Sequence, residues 1–179
     1  MTWKSSLNPN KAMTIQEHVQ DDLFSINREL FERINFAGRF EALSRQHPIR
    51  PDLDLLMILD FDLTKEILES FGYKIRYFRG ERFFQATEKR DGYEFKFNIA
   101  LEYGQVELIW AVFRDKKLVR PLSRIWMGLY GLLMNVPREQ VPLYPFFGDY
   151  DELEAVLRES FSLWEDFKRE FLAEYPKPM

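Results

Sequence analysis

Between Tyr73 and Arg114 the sequence alternates apolar and polar residues with a period of two, and this alternation constrains the fold most. Successive side chains of a β-strand point to opposite faces of a sheet, so the pattern predicts strands with one buried face and one polar face. Short connections separate four such runs, and one connection contains Asp91-Gly92, a pair typical of tight hairpins. We therefore predict a four-stranded antiparallel meander over residues 73–114.

The third run predicts which side chains line the core. Its apolar positions recur at every second residue and are separated by Glu94, Lys96, Asn98, Ala100 and Glu102. A sheet that is buried on one side only shows this alternation. The residues expected inside are Tyr93, Phe95, Phe97, Ile99 and Leu101.

Helical periodicity precedes the meander. Thr14–Glu17 has the pattern of a capping box and predicts an amphipathic helix over about residues 15–34. Gly38 is expected to break or bend this helix before a second helical piece that ends near Gln46. Residues 1–13 are expected to form a flexible N-terminus.

Helical patterns also follow the meander. The apolar run over residues 122–135 predicts a buried helix whose first turn includes Pro121, and three prolines in Val136–Asp149 indicate an ordered crossing loop. Asp149 then caps a long amphipathic helix, with Glu152 three residues later. The fold class is therefore α+β, a single domain over residues 1–179 with N-terminal helices and a C-terminal helix packed on the four-stranded meander.

Composition narrows the possible chemistry. The chain has no cysteine and only two histidines, His18 and His47, so zinc sites and Ser-His-Asp triads are disfavoured and we expect no metal, cofactor or catalytic residue. The most apolar run, Ile125–Val136, is too short to span a bilayer, and the N-terminus has no apolar signal segment. We expect a cytoplasmic protein without membrane contact.

The charge is distributed unevenly along the chain. The net charge is −4, but residues 149–179 hold nine acidic and four basic residues, whereas residues 74–120 hold eleven basic and seven acidic ones. A weakly basic middle and an acidic end disfavour nucleic-acid binding, which needs a strong basic patch. The segment Lys74–Phe84 interleaves basic and aromatic residues, a pattern that can stack bases, although ordinary strand alternation explains it more simply.

The segment Leu59–Thr64, "LDFDLT", resembles the first motif of the haloacid-dehalogenase superfamily. The resemblance implies a Mg²⁺-dependent phosphatase with Asp60 as nucleophile and Asp62 as acid/base. It further implies a Ser or Thr, a Lys and an acidic Mg²⁺ motif on a parallel sheet, for which Thr87, Lys116 or Lys117, and Asp149 are available.

An antiparallel meander leaves no room for the helices that a parallel sheet requires between its strands. We therefore interpret the same segment as the start of a helix. Leu63, Ile67, Leu68 and Phe71 keep helical spacing after Asp62, which we expect to be the N-cap.

The segment Tyr144–Leu172, "YPFFGDYDELEAVLRESFSLWEDFKREFL", is similar to the closing stretch of the small, acidic, cysteine-free immunity proteins with which bacteria neutralise toxins. This resemblance implies a non-enzymatic cytoplasmic protein that occludes a cognate protein toxin. Since an edge strand of the meander can pair with a second copy, we expect a monomer or a homodimer. A small-molecule binder or scaffold with an aromatic pocket, and the phosphatase, are the alternatives. The expected partner-binding residues are Asp149, Tyr150, Asp151, Glu152, Trp164 and Glu165.

Overall fold

A computed structural model describes residues 28–50, 58–119 and 124–175. It confirms an α+β fold built on an antiparallel sheet, in which the four predicted strands follow one another as neighbours. Two short strands that were not predicted extend the sheet, and both pair with the fourth strand. The strands are β1 (Ile75–Phe78), β2 (Phe83–Arg90), β3 (Tyr93–Glu102), β4 (Gln105–Arg114), β5 (Lys117–Leu118) and β6 (Arg124–Ile125).

Tight two-residue turns join each strand to the next from β2 through β5. Asp91-Gly92 and Tyr103-Gly104 both have positive φ at each residue, as a type I′ turn requires. Asp115-Lys116 does the same, with φ of 50° and 62°. Asp115 and Lys116 therefore turn the chain back so that Lys117 pairs with Arg114.

The N-terminal helices divide at Asn35 rather than at Gly38. Residues 28–33 are helical (α1), Asn35 adopts a left-handed φ of 50°, and α2 runs over Phe36–Gln46. Gly38 lies inside α2, where a Cβ atom would come within 2.6 Å of the Asn35 side-chain oxygen. Gly38 thus makes room for the Asn35 side chain at the break. Residues 15–27 of the predicted first helix, its capping box and residues 1–13 lie outside the described residues.

Three further helices complete the described chain: α3 (Phe61–Glu69), α4 (Trp126–Met134) and α5 (Tyr150–Glu174). The predicted buried helix is α4, in which Trp126, Leu129, Tyr130 and Leu133 are buried; Pro121 lies outside the described residues. In the ranges 28–50, 58–119 and 124–175, no helix is both long enough and apolar enough to cross a membrane.

The helices pack on one face of the sheet. The five β3 residues predicted to point inward are all buried, and Phe97 stacks on Trp126 of α4 while Phe95 contacts Phe171 of α5. Every described ring contact between a helix and the sheet lies on this inner face.

The opposite face of the sheet, called here the open face, carries side chains that are half-buried or exposed apart from Ala111. Residues that are paired directly across two strands point to the same face of the sheet. The pairs Arg76–Gln85, Phe78–Phe83 and Thr87–Lys96 all belong to the open face.

Candidate partner-binding surface

The start of α3 is fixed by Asp60 rather than by Asp62. The Asp60 carboxylate accepts the backbone N–H of Leu63 at 3.0 Å, and the Asp60 carbonyl accepts the hydroxyl of the buried Thr64 at 2.6 Å. Asp62 lies in the first helical turn. The prediction of a helix start at this motif is therefore confirmed, but the N-cap is two residues earlier than expected. The cap falls there because helical φ and ψ begin at Phe61.

Of the residues that the phosphatase resemblance requires, Asp149 lies near Asp60 and Asp62 at the joined helix starts, but the Thr and Lys candidates lie on the sheet. Thr87 lies on the open face of β2, and Lys116 and Lys117 lie at the β4–β5 turn. All described strand pairs are antiparallel, whereas the resemblance implies a parallel sheet. The described residues contain no group of three or more His, Asp or Glu side chains placed to hold a metal ion.

Asp149 caps α5, as predicted, because its carboxylate accepts the N–H of Glu152 at 2.8 Å. Glu152 reaches back to the N–H of Gly148, at 2.8 Å, and is also bound by Arg50 at 2.6 Å. The Gly148 N–H and the Arg50 guanidinium hold the pKa of Glu152 below its usual value. Glu152 is thus engaged in fixing the helix start.

Residues from the α2–α3 connection hold the start of α5. The carbonyl of His47 accepts the N–H of Phe146 at 2.8 Å, and burial lowers the pKa of the His47 imidazole. No local pattern identifies Arg50, because its partner Glu152 is 102 residues away along the chain. A hydrogen bond of 2.7 Å from the Asp60 N–H to the Tyr150 hydroxyl joins the two helix starts directly.

These two helix starts form what we call the apolar–acidic surface. Its apolar members Ile58, Phe61 and Leu63 are 87%, 44% and 39% exposed. Its acidic members, Asp60 and Asp62 on α3 and Asp149 and Asp151 on α5, form no ion pair with any residue that the structure describes. The surface comprises Ile58, Phe61, Leu63, Asp60, Asp62, Asp149 and Asp151.

The local charge of this surface is negative even after the helix dipoles are counted. Each helix N-terminus is equivalent to roughly +0.5 of a charge, so the two starts offset about one of the four carboxylates. Arg50 neutralises Glu152 and adds nothing net. The surface therefore keeps a charge of about −3 beside its exposed apolar side chains.

Two of the expected partner-binding residues lie elsewhere, on the middle of α5. Trp164 is fully buried, so in this conformation it offers no surface to a partner. In the sequence, Trp164 keeps helical spacing with Leu157, Ser160 and Phe167, a pattern that is typical of a core position. Glu165 is about half exposed but binds Lys168, three residues later in the same helix, at 2.8 Å.

The acidic flank of α5 is largely neutralised within the chain. Arg39 binds Glu159 and Asp166, and Arg33 binds Glu170 and Glu174. Burial acts to raise the pKa of Asp166, but hydrogen bonds from Arg39 and Arg169 outweigh it and hold that pKa below its usual value. Carboxylates without a described cation are therefore found at the start of α5 rather than along its flank.

We predict that Asp60→Ala lowers the free energy of unfolding by about 1 kcal/mol, because the Leu63 N–H loses its acceptor. Asp62→Ala is the matched control. It should lower the free energy of unfolding by only about 0.3 kcal/mol, because it removes one favourable interaction between a carboxylate and the helix dipole. Urea unfolding followed by circular dichroism measures both. Equal losses for the two variants would contradict the assignment of Asp60 as the cap.

Comparisons of the chain with protein-family models, with curated proteins and with solved structures find no match. The function is therefore inferred from the geometry and charge of the surface itself.

Proposed function

We propose that this protein is a non-enzymatic inhibitor that binds a basic protein through the apolar–acidic surface, as an immunity protein neutralises its toxin in the cytoplasm. The observation that supports this is the pairing of three exposed apolar side chains with four carboxylates that have no described cation. Apolar groups supply binding energy when they are covered, and surface charge raises the rate of encounter with a partner of opposite sign.

The energetics suit a tight complex. Burying a fully exposed Ile, Leu or Phe side chain contributes about 1.5–3 kcal/mol. Ile58, 87% exposed, can contribute most of this, whereas Phe61 and Leu63, 44% and 39% exposed, can each contribute roughly half or less. Together the three side chains can form the centre of an interface. The helix starts are held by the Asp60 and Asp149 caps and by the Asp60–Tyr150 hydrogen bond. The backbone of the surface is therefore already ordered before the partner binds, so less binding free energy is lost to ordering it.

The test is a tagged pull-down from the native lysate, with the captured proteins identified by mass spectrometry and the bound partner then purified. We expect a basic partner in 1:1 stoichiometry whose activity falls as the inhibitor is added. Leu63→Arg and Asp62→Arg should weaken the complex at least about tenfold each, because they place a cation against a basic surface.

Glu139→Arg is the matched control, since Glu139 is exposed on the 3₁₀ turn Arg138–Gln140, and it should leave the affinity unchanged. Thermal melting would show that all three variants fold. Capture of the same partner with equal affinity by all variants, or the absence of any stoichiometric partner, would refute the proposal.

A further inference from the structure

Four cations in or next to β1 and β2 lack the partners that the cations of the helices have, and one of them, Arg79, lies in the turn between the two strands. Lys74, Arg76, Arg79 and Lys89 form no ion pair with a residue that the structure describes. In the helices, by contrast, the arginines at positions 33, 39, 158 and 169 each bind at least one carboxylate. A protein of net charge −4 therefore has a local surplus of positive charge at this edge of the sheet.

Aromatic rings lie on the open face beside Arg76. Phe78 and Phe83 are directly paired across β1 and β2, and their rings stack with centroids 4.9 Å apart. Both side chains are half-buried, so part of each remains accessible. The Arg76 guanidinium lies 4.7 Å from the centre of the Phe78 ring and forms no ion pair with a described carboxylate.

Hydrogen-bonding groups occupy the neighbouring positions. The side-chain amide of Gln85 donates to Asn98 at 2.8 Å, and Thr87 lies two residues further along the same face of β2. These groups can exchange hydrogen bonds with the edges of a planar polar ring. The β1–β2 half of the open face thus combines ring surface, amide and hydroxyl groups and unpaired cations.

We propose that this half of the open face binds single-stranded nucleic acid, with bases contacting Phe78 and Phe83 and phosphates contacting the four unpaired cations. Stacking on aromatic side chains needs bases that are not already paired, which favours a single strand over a duplex. Cations without partners favour a polyanion, since no existing ion pair has to be broken. This activity is separate from inhibition of a basic protein.

The net negative charge of the chain does not oppose this binding. The carboxylates of α5 lie with the helices on the inner side of the sheet, where Arg33 and Arg39 bind four of them and offset two of their charges. At physiological salt, exposed charges more than about 8 Å apart are largely screened from each other. The potential at the open face is therefore set by the residues on it.

Fluorescence anisotropy with labelled single-stranded RNA and DNA of about 12 nucleotides tests the proposal, using the full chain. If four cations contact phosphates, raising the salt from 50 to 200 mM should weaken binding about fiftyfold. The double variant Arg76→Glu, Lys89→Glu should bind at least tenfold more weakly at 50 mM salt and show about half the salt dependence. Phe83→Leu should bind roughly tenfold more weakly with the salt dependence unchanged.

Lys116→Glu, Lys117→Glu is the matched control, because it makes the same change of charge at the β4–β5 turn. It should bind within about twofold of the wild type, and thermal melting would confirm that the variants fold. Absence of salt-dependent binding, or an equal loss in the control and the Arg76/Lys89 variant, overturns the proposal. Binding of a polyglutamate peptide but not of either oligonucleotide overturns it in favour of an acidic protein segment.

Discussion

Replacing Trp110 by alanine is expected to lower the free energy of unfolding by about 4 kcal/mol, the largest loss from any single substitution considered for this chain. Trp110 is 1% exposed and lies where the sheet meets the helices. Its ring stacks on Phe167 at 4.5 Å and meets Trp126 edge to face at 4.8 Å. Truncation removes these contacts and leaves a cavity that rigid neighbouring rings cannot fill.

Thermal melting and urea unfolding measure this loss, which corresponds to a fall in melting temperature of about 12 °C for a domain of this size. Trp110→Phe should cost only about 1–2 kcal/mol, because a ring still fills part of the site. It also removes an indole N–H that is buried without an acceptor among the described residues.

Leu143→Ala is the surface control. Leu143 is 57% exposed, so its truncation should change the free energy of unfolding by less than about 0.5 kcal/mol. If Trp110→Ala lowered the free energy of unfolding as little as Leu143→Ala does, the aromatic cluster around Trp110 would not be what stabilises the core.

The sheet could be predicted from the sequence because its signals are local. Alternation over Tyr93–Leu101 identified the inner face of β3, and residue pairs such as Asp91-Gly92 indicated the turns. The strand β5 was missed because a strand of two residues has no period to detect. Its turn, Asp115-Lys116, contains no glycine, although Asp tolerates positive φ.

The candidate surface could be predicted only in part. Asp149 was identified from the capping pattern and Tyr150 was named as an expected partner-binding residue, but the hydrogen bond that joins Asp60 to Tyr150 links residues 90 positions apart. No pattern in a single sequence encodes such a contact, because it depends on how α3 and α5 pack. For the same reason the sequence could not distinguish carboxylates that are ion-paired within the chain, such as Glu159, from free ones such as Asp151.

The aromatic content illustrates the same limit. An aromatic share of 16% is explained most simply by a dense core, and large rings such as Trp110, Trp126 and Phe97 are buried. Others, including Phe78 and Phe83, lie half-buried on the open face. Strand alternation assigns each ring to a face, but which face the helices cover is settled by tertiary packing.

Lys168→Ala is expected to lower the free energy of unfolding by about 3 kcal/mol, because Lys168 is fully buried on the core side of α5. Its ammonium donates to the Tyr73 hydroxyl at 2.6 Å, to Glu165 at 2.8 Å and to Glu88, which uses all three of its N–H groups. It also lies 4.0 Å from the centre of the Trp164 ring. Alanine would remove this cation and leave a gap beside Trp164.

Lys168→Met separates packing from charge. Methionine fills most of the same volume, and the two carboxylates remain partly exposed, with 30% and 47% of the side chains of Glu88 and Glu165 accessible to water. Water can therefore solvate them when the cation is absent, and replacing a buried ion by an apolar side chain of similar size is often close to neutral. We expect Lys168→Met to cost less than about 1.5 kcal/mol in urea unfolding. If methionine proved as costly as alanine, the ion cluster rather than the packing of the lysine stem would stabilise this end of the core.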